Sequence, residues 1–471
     1  FKDMVCYQEE VRDPSRMAEV LNRVIEKAFR GSAPAQINVP RDYWTQVIDI
    51  DLPPIVRFER QGGGKKAIDE AAKILSNAKF PVILSGAGVV IGNAIEDCKK
   101  LAEKLDAPVC NGYQHNDSFP GNHPLAVGPL GYNGSKAAME LISKADVVLA
   151  LGTRLNPFST LPGYGIDYWP KNATIIQVDM NPDRIGLTKK VTVGICGDAK
   201  LVSQQILEKL SSNAGDNGRE DRKNLIHQTK SSWLQTLTSL DHEDDDPGTV
   251  WNKEARERDK ERMSPRQAWR AIQAGMPDDV IISSDIGNNC AIGNAYPTFE
   301  KGRKYLAPGL FGPCGYGFPS ILGAKIGCPD TPVIGFAGDG AFGISMNEMS
   351  SCARKEWPSI TMVIFRNYQW GAEKRNSILW FDDNFVGTEL DPELSYAKVA
   401  DACGLKGITV RTMEETTKAI KEGCENQKKG ITTFVEVILN QELGEPFRRD
   451  AMKKPVQVAG INKSDMKPQK S

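Results

Sequence analysis

Residues 332–342 read Pro-Val-Ile-Gly-Phe-Ala-Gly-Asp-Gly-Ala-Phe, and residues 360–369 read Ile-Thr-Met-Val-Ile-Phe-Arg-Asn-Tyr-Gln. Each segment is a short apolar run that is followed at once by polar residues. Short, continuously apolar runs are typical of strands that are buried on both faces of a parallel sheet. The sequence therefore predicts two neighbouring parallel strands. Gly338-Asp339-Gly340 and Asn367 would stand at their carboxyl ends, where open α/β sheets bind ligands.

The polar residues at these strand ends have the chemistry of a magnesium site. One strand-helix-strand unit would bring Asp339 and Asn367 side by side at neighbouring strand ends. A carboxylate, an amide oxygen and the main-chain carbonyl of Gln369 are hard oxygen ligands, which suit Mg²⁺ completed by phosphate oxygens and a water. Gly338 and Gly340 let the chain approach an anion closely. A Gly-Asp-Gly segment alone is common in turns, so the interval to Asn367 carries the prediction.

Helical and strand patterns alternate along the chain in two blocks. The first begins near residue 66, and the second begins at Ser264-Pro265, a typical N-cap followed by proline at the first helical position. This alternation predicts an α/β protein with two doubly wound parallel-sheet domains. A single helix is expected from Ile344 to Lys355. The predicted strands are Pro81–Ser85, Pro108–Cys110, Asp146–Leu151 and Thr174–Asp179 in the first block, and Val280–Ser284, Pro332–Phe336, Ile360–Phe365 and Thr432–Ile438 in the second.

Composition shifts divide the chain further. Residues 1–50 hold a helix that starts at Asp13-Pro14 and a strand from Ala35 to Val39, which is too little for a domain. A helix from Arg222 to Leu237 is expected to pack on a neighbouring domain. The predicted segments are a short N-terminal block at 1–50, a linker at 51–65, a central α/β domain at 66–210, a linker at 211–262, the domain with the magnesium site at 263–440 and a tail at 441–471.

Length and composition exclude several classes of protein. The 471 residues carry 59 Lys and Arg against 60 Asp and Glu, and neither sign is concentrated, so nucleic acid and membrane surfaces are not expected partners. No apolar run approaches the length of a membrane span. The ten cysteines are scattered without a CxxC pair, which is typical of free thiols in a reducing compartment. A cytoplasmic protein is expected.

Two further glycine-containing segments connect these features to a known family. Asp285-Ile-Gly-Asn-Asn289 follows a predicted strand, and residues 312–319 read Gly-Pro-Cys-Gly-Tyr-Gly-Phe-Pro. Together with the segments at 338–342 and 367–369, they resemble the cofactor signature of thiamine-diphosphate-dependent enzymes, which include the acetolactate synthases. The resemblance implies the family's thiamine-diphosphate-binding fold, with thiamine diphosphate and Mg²⁺ as cofactors. The cofactor-binding residues it implies are Ile286, Gly287, Asn288, Asn289, Gly312, Cys314, Gly338, Asp339, Gly340, Ala341, Phe342, Asn367, Gln369 and Gly371, and Asp339, Asn367 and Gln369 among them would bind the metal.

The family pattern also sets expectations for the other segments. Residues 1–50 resemble the end of the family's pyrimidine-binding domain, so the glutamate that activates the cofactor is expected upstream of Phe1, and the chain as given would be inactive. The central block resembles the family's middle domain, where Gly86-Ala-Gly88 is a weak hint of nucleotide binding. Cys314 departs from the family, because related acetolactate synthases have methionine at the matching position. His115 and His123 are the histidines that could face the cofactor, and a structural role is expected for His123.

Two segments point to one group within the family. Residues 366–377 and 443–455 resemble acyltransferases that act on a sulfonated aldehyde and phosphate, so small anionic substrates are expected. Arg and Lys donors suit the binding of two such anions, and the candidates are Lys374, Arg375, Arg448 and Arg449. Each of these could instead be a solvated surface charge. Glu373 is the candidate catalytic proton shuttle, with a helix-face ion pair as the alternative.

Other functions use the same motifs. An acetolactate-synthase-like carboligase or a 2-oxoacid decarboxylase would need the same cofactor residues, but the charged Glu373-Lys374-Arg375 favours anionic substrates. A non-catalytic cofactor-binding homologue is the alternative from another class. In the family each cofactor lies between two subunits, so a homodimer or homotetramer is expected.

Overall fold

The computed structural model describes residues 1–52, 54, 59–242, 259–309, 311–380 and 384–442. In this part of the chain, two six-stranded parallel sheets form the centres of two α/β units, and a small two-stranded unit precedes them. The sheets are covered by helices, as the continuously apolar strands require. The predicted α/β class with doubly wound parallel sheets is therefore confirmed.

The N-terminal unit is a parallel strand pair with one helix. Strands β1 (Tyr7–Glu10) and β2 (Ala35–Asn38) pair in parallel, and helix α1 (Met17–Gly31) connects them. Asp13 accepts a hydrogen bond from the backbone N–H of Ser15 and so caps a short 3₁₀ turn, Pro14–Arg16, before α1. The predicted helix start at Asp13-Pro14 is thus a capped turn that leads into the helix.

The central sheet has the strand order β5-β4-β3-β6-β7-β8. Its strands are β3 (Pro81–Ser85), β4 (Val109–Asn111), β5 (Ala126–Pro129), β6 (Val147–Leu151), β7 (Thr174–Asp179) and β8 (Val193–Cys196). The helices that cover it are α2 (Lys65–Asn77), α3 (Ala87–Ile91), α4 (Ile95–Leu105), α5 (Lys136–Ile142) and α6 (Ala199–Lys209). Strands β3, β4, β6 and β7 match the prediction to within one residue at each end, and β5, β8, α3 and α6 were not predicted.

Helix α7 (Arg219–His242) bridges the two α/β units. Its Trp233 ring lies 5.6 Å from the ring of Tyr164 in the central unit. Trp233 and Leu237 also belong to the apolar core that contains Ala268 and Ile272 of the second unit. The prediction that a helix within residues 211–262 packs on a neighbouring domain is confirmed.

The C-terminal sheet has the strand order β10-β9-β11-β12-β14-β13. Its strands are β9 (Ile281–Ser284), β10 (Tyr305–Leu306), β11 (Val333–Gly338), β12 (Thr361–Arg366), β13 (Lys406–Val410) and β14 (Thr433–Ile438). The helices are α8 (Pro265–Gly275), α9 (Asn288–Ile292), α10 (Gly317–Gly327), α11 (Asp339–Ser345), α12 (Met349–Cys352), α13 (Gly371–Trp380), α14 (Tyr396–Ala402) and α15 (Met413–Lys428).

One helix prediction in this unit was wrong. The helix expected from Ile344 to Lys355 is broken into α11, a 3₁₀ turn at Met346–Glu348, and α12. Helix α11 begins earlier than expected, at Asp339 itself. Apolar residues recur at helical spacing in both α11 and α12, so the pattern did not reveal the 3₁₀ turn between these two helices.

A buried amide and a buried carboxylate of the central unit form hydrogen bonds to the backbone of the C-terminal unit. The Asn116 side chain donates hydrogen bonds of 2.9 Å to the carbonyl oxygens of Asn294 and Pro297. Asp117 accepts from the backbone N–H groups of Lys304 and Tyr305 at 2.8 and 3.1 Å. Buried polar groups that are satisfied only across a contact specify one docking geometry. In the part of the chain that the structure describes, no helix is both long enough and apolar enough to cross a membrane.

Candidate active site

The candidate site lies where the order of the C-terminal sheet reverses. Strand β9 stands between β10 and β11, so the chain leaves β9 towards one edge of the sheet and leaves β11 towards the other. Crevices at such switch points, outside the carboxyl ends of the strands, are where open α/β sheets bind ligands. The segments that follow β9 and β11 carry Asp285-Ile-Gly-Asn-Asn289 and Gly338-Asp339-Gly340, so both predicted motifs meet at this crevice.

Asp339 is buried at this edge, beside the end of the neighbouring strand. Gly338 of β11 pairs with Phe365 of β12, which places Asp339 next to Arg366. The Asp339 carboxylate accepts from the backbone N–H groups of Gly340 at 2.9 Å and Tyr368 at 2.6 Å, and it pairs with Arg366 Nη1 at 3.1 Å. Burial raises the pKa of Asp339 to about 6, although Arg366 and the two N–H groups oppose the shift.

Asn367 and Gln369 have buried side-chain oxygen atoms that accept no hydrogen bond from any described residue. These atoms are Asn367 Oδ1 and Gln369 Oε1. The side chain of Asn367 is 2 % exposed. Buried acceptors normally have a donor or a bound ion, because a bare acceptor loses its hydration without compensation. A carboxylate beside an unpaired amide oxygen is a donor set that fits Mg²⁺.

Asp285 holds the two cofactor segments together, a role that the sequence did not reveal. Its carboxylate accepts hydrogen bonds from the backbone N–H groups of Ile286 at 2.8 Å, Gly315 at 3.1 Å and Gly317 at 2.7 Å. Burial raises the pKa of this carboxyl, and the three N–H groups oppose the rise. The sequence does contain a signal for this role, because Asp285 directly follows a buried strand. Burying a carboxylate costs free energy unless hydrogen-bond donors surround it.

Backbone conformation explains two of the glycines. Gly287 has φ +139° and Gly315 has φ +86°, values that side-chain-bearing residues rarely adopt. Gly340 is needed for a different reason, because a Cβ there would lie 2.7 Å from the ring of Trp370. Glycines in these segments therefore allow both unusual turns and close packing.

The other predicted cofactor residues line the same crevice or the core beneath it. Gly312 lies against Ile286, and Gly371 lies against the Asn288 amide, at 3.8 Å and 3.1 Å measured from the Cβ that a side chain would add to each glycine. Asn289 is buried, and its Oδ1 has no hydrogen-bond partner in the described ranges of the chain. Ala341 and Phe342 are buried in α11. The Phe342 ring packs within 5.2 to 5.8 Å of the rings of Phe318, Tyr396 and Phe434, which is a core position.

Cys314 of the glycine-rich segment and Glu373 of α13 interact electrostatically. Burial raises the pKa of the half-buried Cys314 thiol, and the charges of Asp285 and Glu373 raise it further. Glu373 itself is exposed on α13. Its charge is thus close enough to act on a residue of the glycine-rich segment, while its carboxylate stays accessible to solvent.

Lys374 and Arg375 are buried, so neither is a solvated surface charge. Lys374 Nζ pairs with Glu389 and lies 3.4 Å from Gln441 Oε1. Arg375 Nη1 donates a 2.7 Å hydrogen bond to the hydroxyl of Tyr132, which in turn lies 3.3 Å from Asn288 Oδ1. Tyr132 belongs to the central unit and was not predicted, because nothing in the sequence pairs a residue of one domain with α13 of the other. The remaining two candidates, Arg448 and Arg449, lie outside the described residues.

The Gly86-Ala-Gly88 motif packs against the backbone of Leu151 and Gly152 where the central sheet reverses. This sheet reverses between β3 and β6, and there the N–H groups of Gly86 and Gly88 donate to the carbonyl oxygens of Leu151 at 3.0 Å and Gly152 at 2.8 Å. A Cβ at Gly88 would lie 2.7 Å from Gly152 Cα. Close packing therefore accounts for the Gly86-Ala-Gly88 motif.

The two central-unit histidines differ in environment. His123 Nε2 lies 3.2 Å from Glu103 Oε1, and its Nδ1 accepts from the backbone N–H of Leu125 at 3.2 Å, which agrees with the expected structural role. His115 is half-buried. Desolvation, with a smaller effect of Arg154, lowers the pKa of His115 from 6.5 to about 4.

Comparisons with known proteins agree with this site. Residues 68–209 match the family described as thiamine pyrophosphate enzyme, central domain, and residues 285–437 match its C-terminal TPP binding domain. The chain is 77 % identical over 470 residues to a probable sulfoacetaldehyde acetyltransferase of Rhizobium meliloti, covering all of this chain and 80 % of the relative. It is 72 % identical to a sulfoacetaldehyde acetyltransferase of Roseovarius nubinhibens, with coverage of 100 % and 78 %.

A solved structure has the same fold at low identity. The benzoylformate decarboxylase of Polynucleobacter necessarius superposes with a TM-score of 0.72 at 20 % identity, over 93 % of this chain and 77 % of that one. This likeness concerns the fold alone, whereas the identities above extend over the whole chain. The chain belongs to the thiamine pyrophosphate enzyme family, in the group that contains the sulfoacetaldehyde acetyltransferases.

Proposed function

We propose that the protein converts sulfoacetaldehyde and phosphate into acetyl phosphate and sulfite, with thiamine diphosphate and Mg²⁺ as cofactors. The observation that carries the proposal is the 72 to 77 % identity to relatives of that name over the whole chain. The crevice supports it independently, since it combines the oxygen donors of a Mg²⁺ site with buried cations nearby. The reaction is the transfer of an acyl group to phosphate, so the protein is an acyltransferase.

The reaction balances within the two substrates. Thiamine diphosphate, when bound, supplies a nucleophilic carbon for the aldehyde and accepts the electron density that this carbon must release. The carbon–sulfur bond of the substrate breaks, and sulfite leaves with the electron pair. The aldehyde carbon is oxidised to the acyl level, and the neighbouring carbon is reduced to a methyl group by gaining a proton. A phosphate oxygen then bonds to the acyl carbon, so no external oxidant or reductant is needed.

Residues of this chain would bind the metal, position the segments around the crevice and transfer a proton. Asp339, Asn367 and the carbonyl of Gln369 would hold Mg²⁺, which the unpaired Asn367 oxygen favours. Asp285 keeps the segments at 286 and 315–317 in position. Glu373 would move a proton to or from the reacting carbons, because its carboxylate is solvent-accessible and acts on Cys314 at the crevice.

Binding two anions is assigned to cations near the crevice. A sulfonate and a phosphate both favour the planar, charged donors of arginine. Arg375 donates a hydrogen bond to Tyr132, Lys374 is paired with Glu389, and both are candidates for binding an anion. Arg448 and Arg449 remain proposals on the sequence alone. We also propose that the protein acts in the cytoplasm as a homodimer or homotetramer.

The proposal is tested by the products of the full-length protein. The purified protein with thiamine diphosphate and Mg²⁺ is given sulfoacetaldehyde, and sulfite and acetyl phosphate are measured with and without phosphate. Equal amounts of both products, formed only with phosphate, are expected. Sulfite without acetyl phosphate would contradict acyl transfer to phosphate.

The same assay separates the alternatives. Acetolactate formed from pyruvate without sulfite release would identify a carboligase with the same cofactor site. Carbon dioxide from a 2-oxoacid, without sulfite release, would identify a decarboxylase. Cofactor binding without turnover of any of these substrates would identify a non-catalytic homologue.

A further inference from the structure

Arg366 is a fully buried cation that lies between two carboxylates. Its side chain is 1 % exposed, and those of Asp339 and Glu436 are 1 % and 2 % exposed. Nη1 pairs with Asp339 Oδ2 at 3.1 Å, whereas Nε lies 3.8 Å from Glu436 Oε1, beyond hydrogen-bond distance. Within the described part of the chain, Nε has no hydrogen-bond acceptor. The guanidinium therefore bonds to one carboxylate and has a second within reach.

The rest of the surroundings fix Arg366 in this place. The rings of Tyr368 and Tyr396 lie 4.2 and 5.4 Å from its guanidinium carbon. Nη2 donates to the carbonyl oxygens of Asp391 and Leu394. Tyr368 has φ +62°, an uncommon conformation that directs its N–H to the same Asp339 oxygen as Arg366. These contacts leave the Arg366 guanidinium little room to move, apart from a shift between the carboxylates of Asp339 and Glu436.

Glu436 is held independently of Arg366. Its carboxylate accepts from Ser395 Oγ at 2.6 Å, from the backbone N–H of Tyr396 at 3.1 Å and from Thr409 Oγ1 at 3.3 Å. The hydroxyl of Tyr396 also donates to the Asp339 carbonyl oxygen at 2.9 Å. Glu436 on β14 and Asp339 after β11 are therefore fixed points on either side of β12, which carries Arg366.

We propose that Arg366 and Glu436 form a charge-balancing pair that sets the Mg²⁺ affinity of Asp339, and this rests on the proposed role of Asp339 as a metal ligand. Arginine keeps its charge in proteins, and a buried charge is costly unless it is paired or fully hydrogen-bonded. Arg366 is not fully hydrogen-bonded within the described residues, because its Nε lacks an acceptor, so its charge depends on the nearby carboxylates. When Asp339 binds Mg²⁺, its charge is shared with the metal, and Glu436 becomes the counter-ion of Arg366. Arg366 and Glu436 are positioning residues, which act on the metal through Asp339.

The proposal predicts opposite effects for the two residues. Removing the Arg366 charge in Arg366→Gln takes a cation away from the metal ligand, so Mg²⁺ should bind more tightly, by about tenfold. Glu436→Gln leaves Arg366 with Asp339 as its counter-ion, so Mg²⁺ should bind more weakly, by about tenfold. The double variant, which restores the charge balance, should have nearly the wild-type affinity.

The test is a calorimetric Mg²⁺ titration of the full-length protein with saturating thiamine diphosphate, together with the midpoint of thermal unfolding at each Mg²⁺ concentration. Neither readout requires turnover. Arg222→Gln is the matched control, because Arg222 is an equally buried arginine that, within the described ranges, donates hydrogen bonds to carbonyl oxygens only. These belong to Lys79, Leu105, Asp106, Gly215 and Asn217. This control should unfold at a lower temperature and bind Mg²⁺ as the wild type does.

The outcomes distinguish this proposal from the proposed function. Shifts of Mg²⁺ affinity in the same direction in Arg366→Gln and Glu436→Gln, or no shift in either, would overturn the charge-balancing role. If Arg366→Gln does not fold, weaker Mg²⁺ binding by Glu436→Gln supports the proposal and unchanged binding overturns it. A wild-type protein that binds neither Mg²⁺ nor thiamine diphosphate would instead overturn the proposed function.

Discussion

The carboxylate of Asp285 accepts a 2.7 Å hydrogen bond from the backbone N–H of Gly317, 32 residues further along the chain. This bond joins the segment after β9 to the start of α10. The same carboxylate also accepts from Gly315 and Ile286, so one side chain fixes the relative position of both segments. The shape of the cofactor crevice therefore depends on a residue that need not touch the cofactor.

We predict that Asp285→Ala weakens thiamine diphosphate binding by at least about tenfold. Loss of the acceptor leaves three N–H groups without this partner, of which that of Gly317 is buried and those of Ile286 and Gly315 are part-buried. An unsatisfied buried N–H group costs roughly 1–3 kcal/mol. Asp285→Asn keeps one acceptor oxygen and should lie between the wild type and Asp285→Ala. The measurement is the quenching of tryptophan fluorescence on cofactor addition. Equal affinities in all three proteins would exclude the clamping role of Asp285.

The contact between Arg375 and Tyr132 gives a second prediction. Tyr132→Phe removes the 2.7 Å hydrogen bond from Arg375 and should raise the KM for an anionic substrate about three- to tenfold, consistent with the loss of one charge-assisted bond. Arg375→Gln should raise the same KM further. Steady-state kinetics of sulfite release, at varied sulfoacetaldehyde and varied phosphate, would show which anion is affected. Unchanged KM values for both substrates in Arg375→Gln would contradict the assignment.

Two glycines of the C-terminal unit should respond differently to alanine. At Gly340 a Cβ would lie 2.7 Å from the Trp370 ring, so Gly340→Ala should destabilise the fold by roughly 1–3 kcal/mol and weaken cofactor binding. Gly323 lies in α10 with nothing within 4 Å of the added atom, so Gly323→Ala should stabilise the protein by roughly 0.5–1 kcal/mol. Thermal unfolding compares the two variants. A Gly340→Ala protein as stable as Gly323→Ala would show that Trp370 moves freely.

The lowered pKa of the half-buried His115 predicts a pH dependence of stability. Burial lowers the pKa of His115 from 6.5 to about 4, so between these values the unfolded state binds more protons than the folded state. The free energy of unfolding should therefore rise with pH from about 4 to 6.5, by at most about 3 kcal/mol from this residue. Urea unfolding of the wild type and His115→Gln across this range measures the contribution. Identical slopes with pH in both proteins would contradict it.

The strand ends of the C-terminal unit could be predicted because their signal is local. A buried parallel strand is a continuous apolar run, and the first polar residue after it marks the edge where ligands bind. For this reason Asp339 and Asn367 were expected at neighbouring strand ends, and the structure brings them there. The family signature added the segments at 285–289 and 312–319, which meet at the same crevice.

The contacts between distant segments could not be predicted in this way. The run Glu373-Lys374-Arg375 does not show which charges are buried, because Lys374 is neutralised by Glu389 from a later segment and Arg375 is held by Tyr132 of the other unit. The central position of Arg366 depends on Glu436, which is contributed by the neighbouring strand β14. Such pairings follow from the tertiary fold, and a single sequence contains no periodic signal for them.

The metal and cofactor site is tested most directly by the equilibrium binding of thiamine diphosphate to the full-length protein, measured with Mg²⁺ and with a chelator, for the wild type and Asn367→Ala. We expect tight binding by the wild type only with Mg²⁺, and a loss of this metal dependence in Asn367→Ala, because the Asn367 oxygen, which no described residue bonds, is a proposed ligand. Binding by the wild type with the same affinity in the presence and absence of Mg²⁺ would contradict the assignment of the metal and cofactor site.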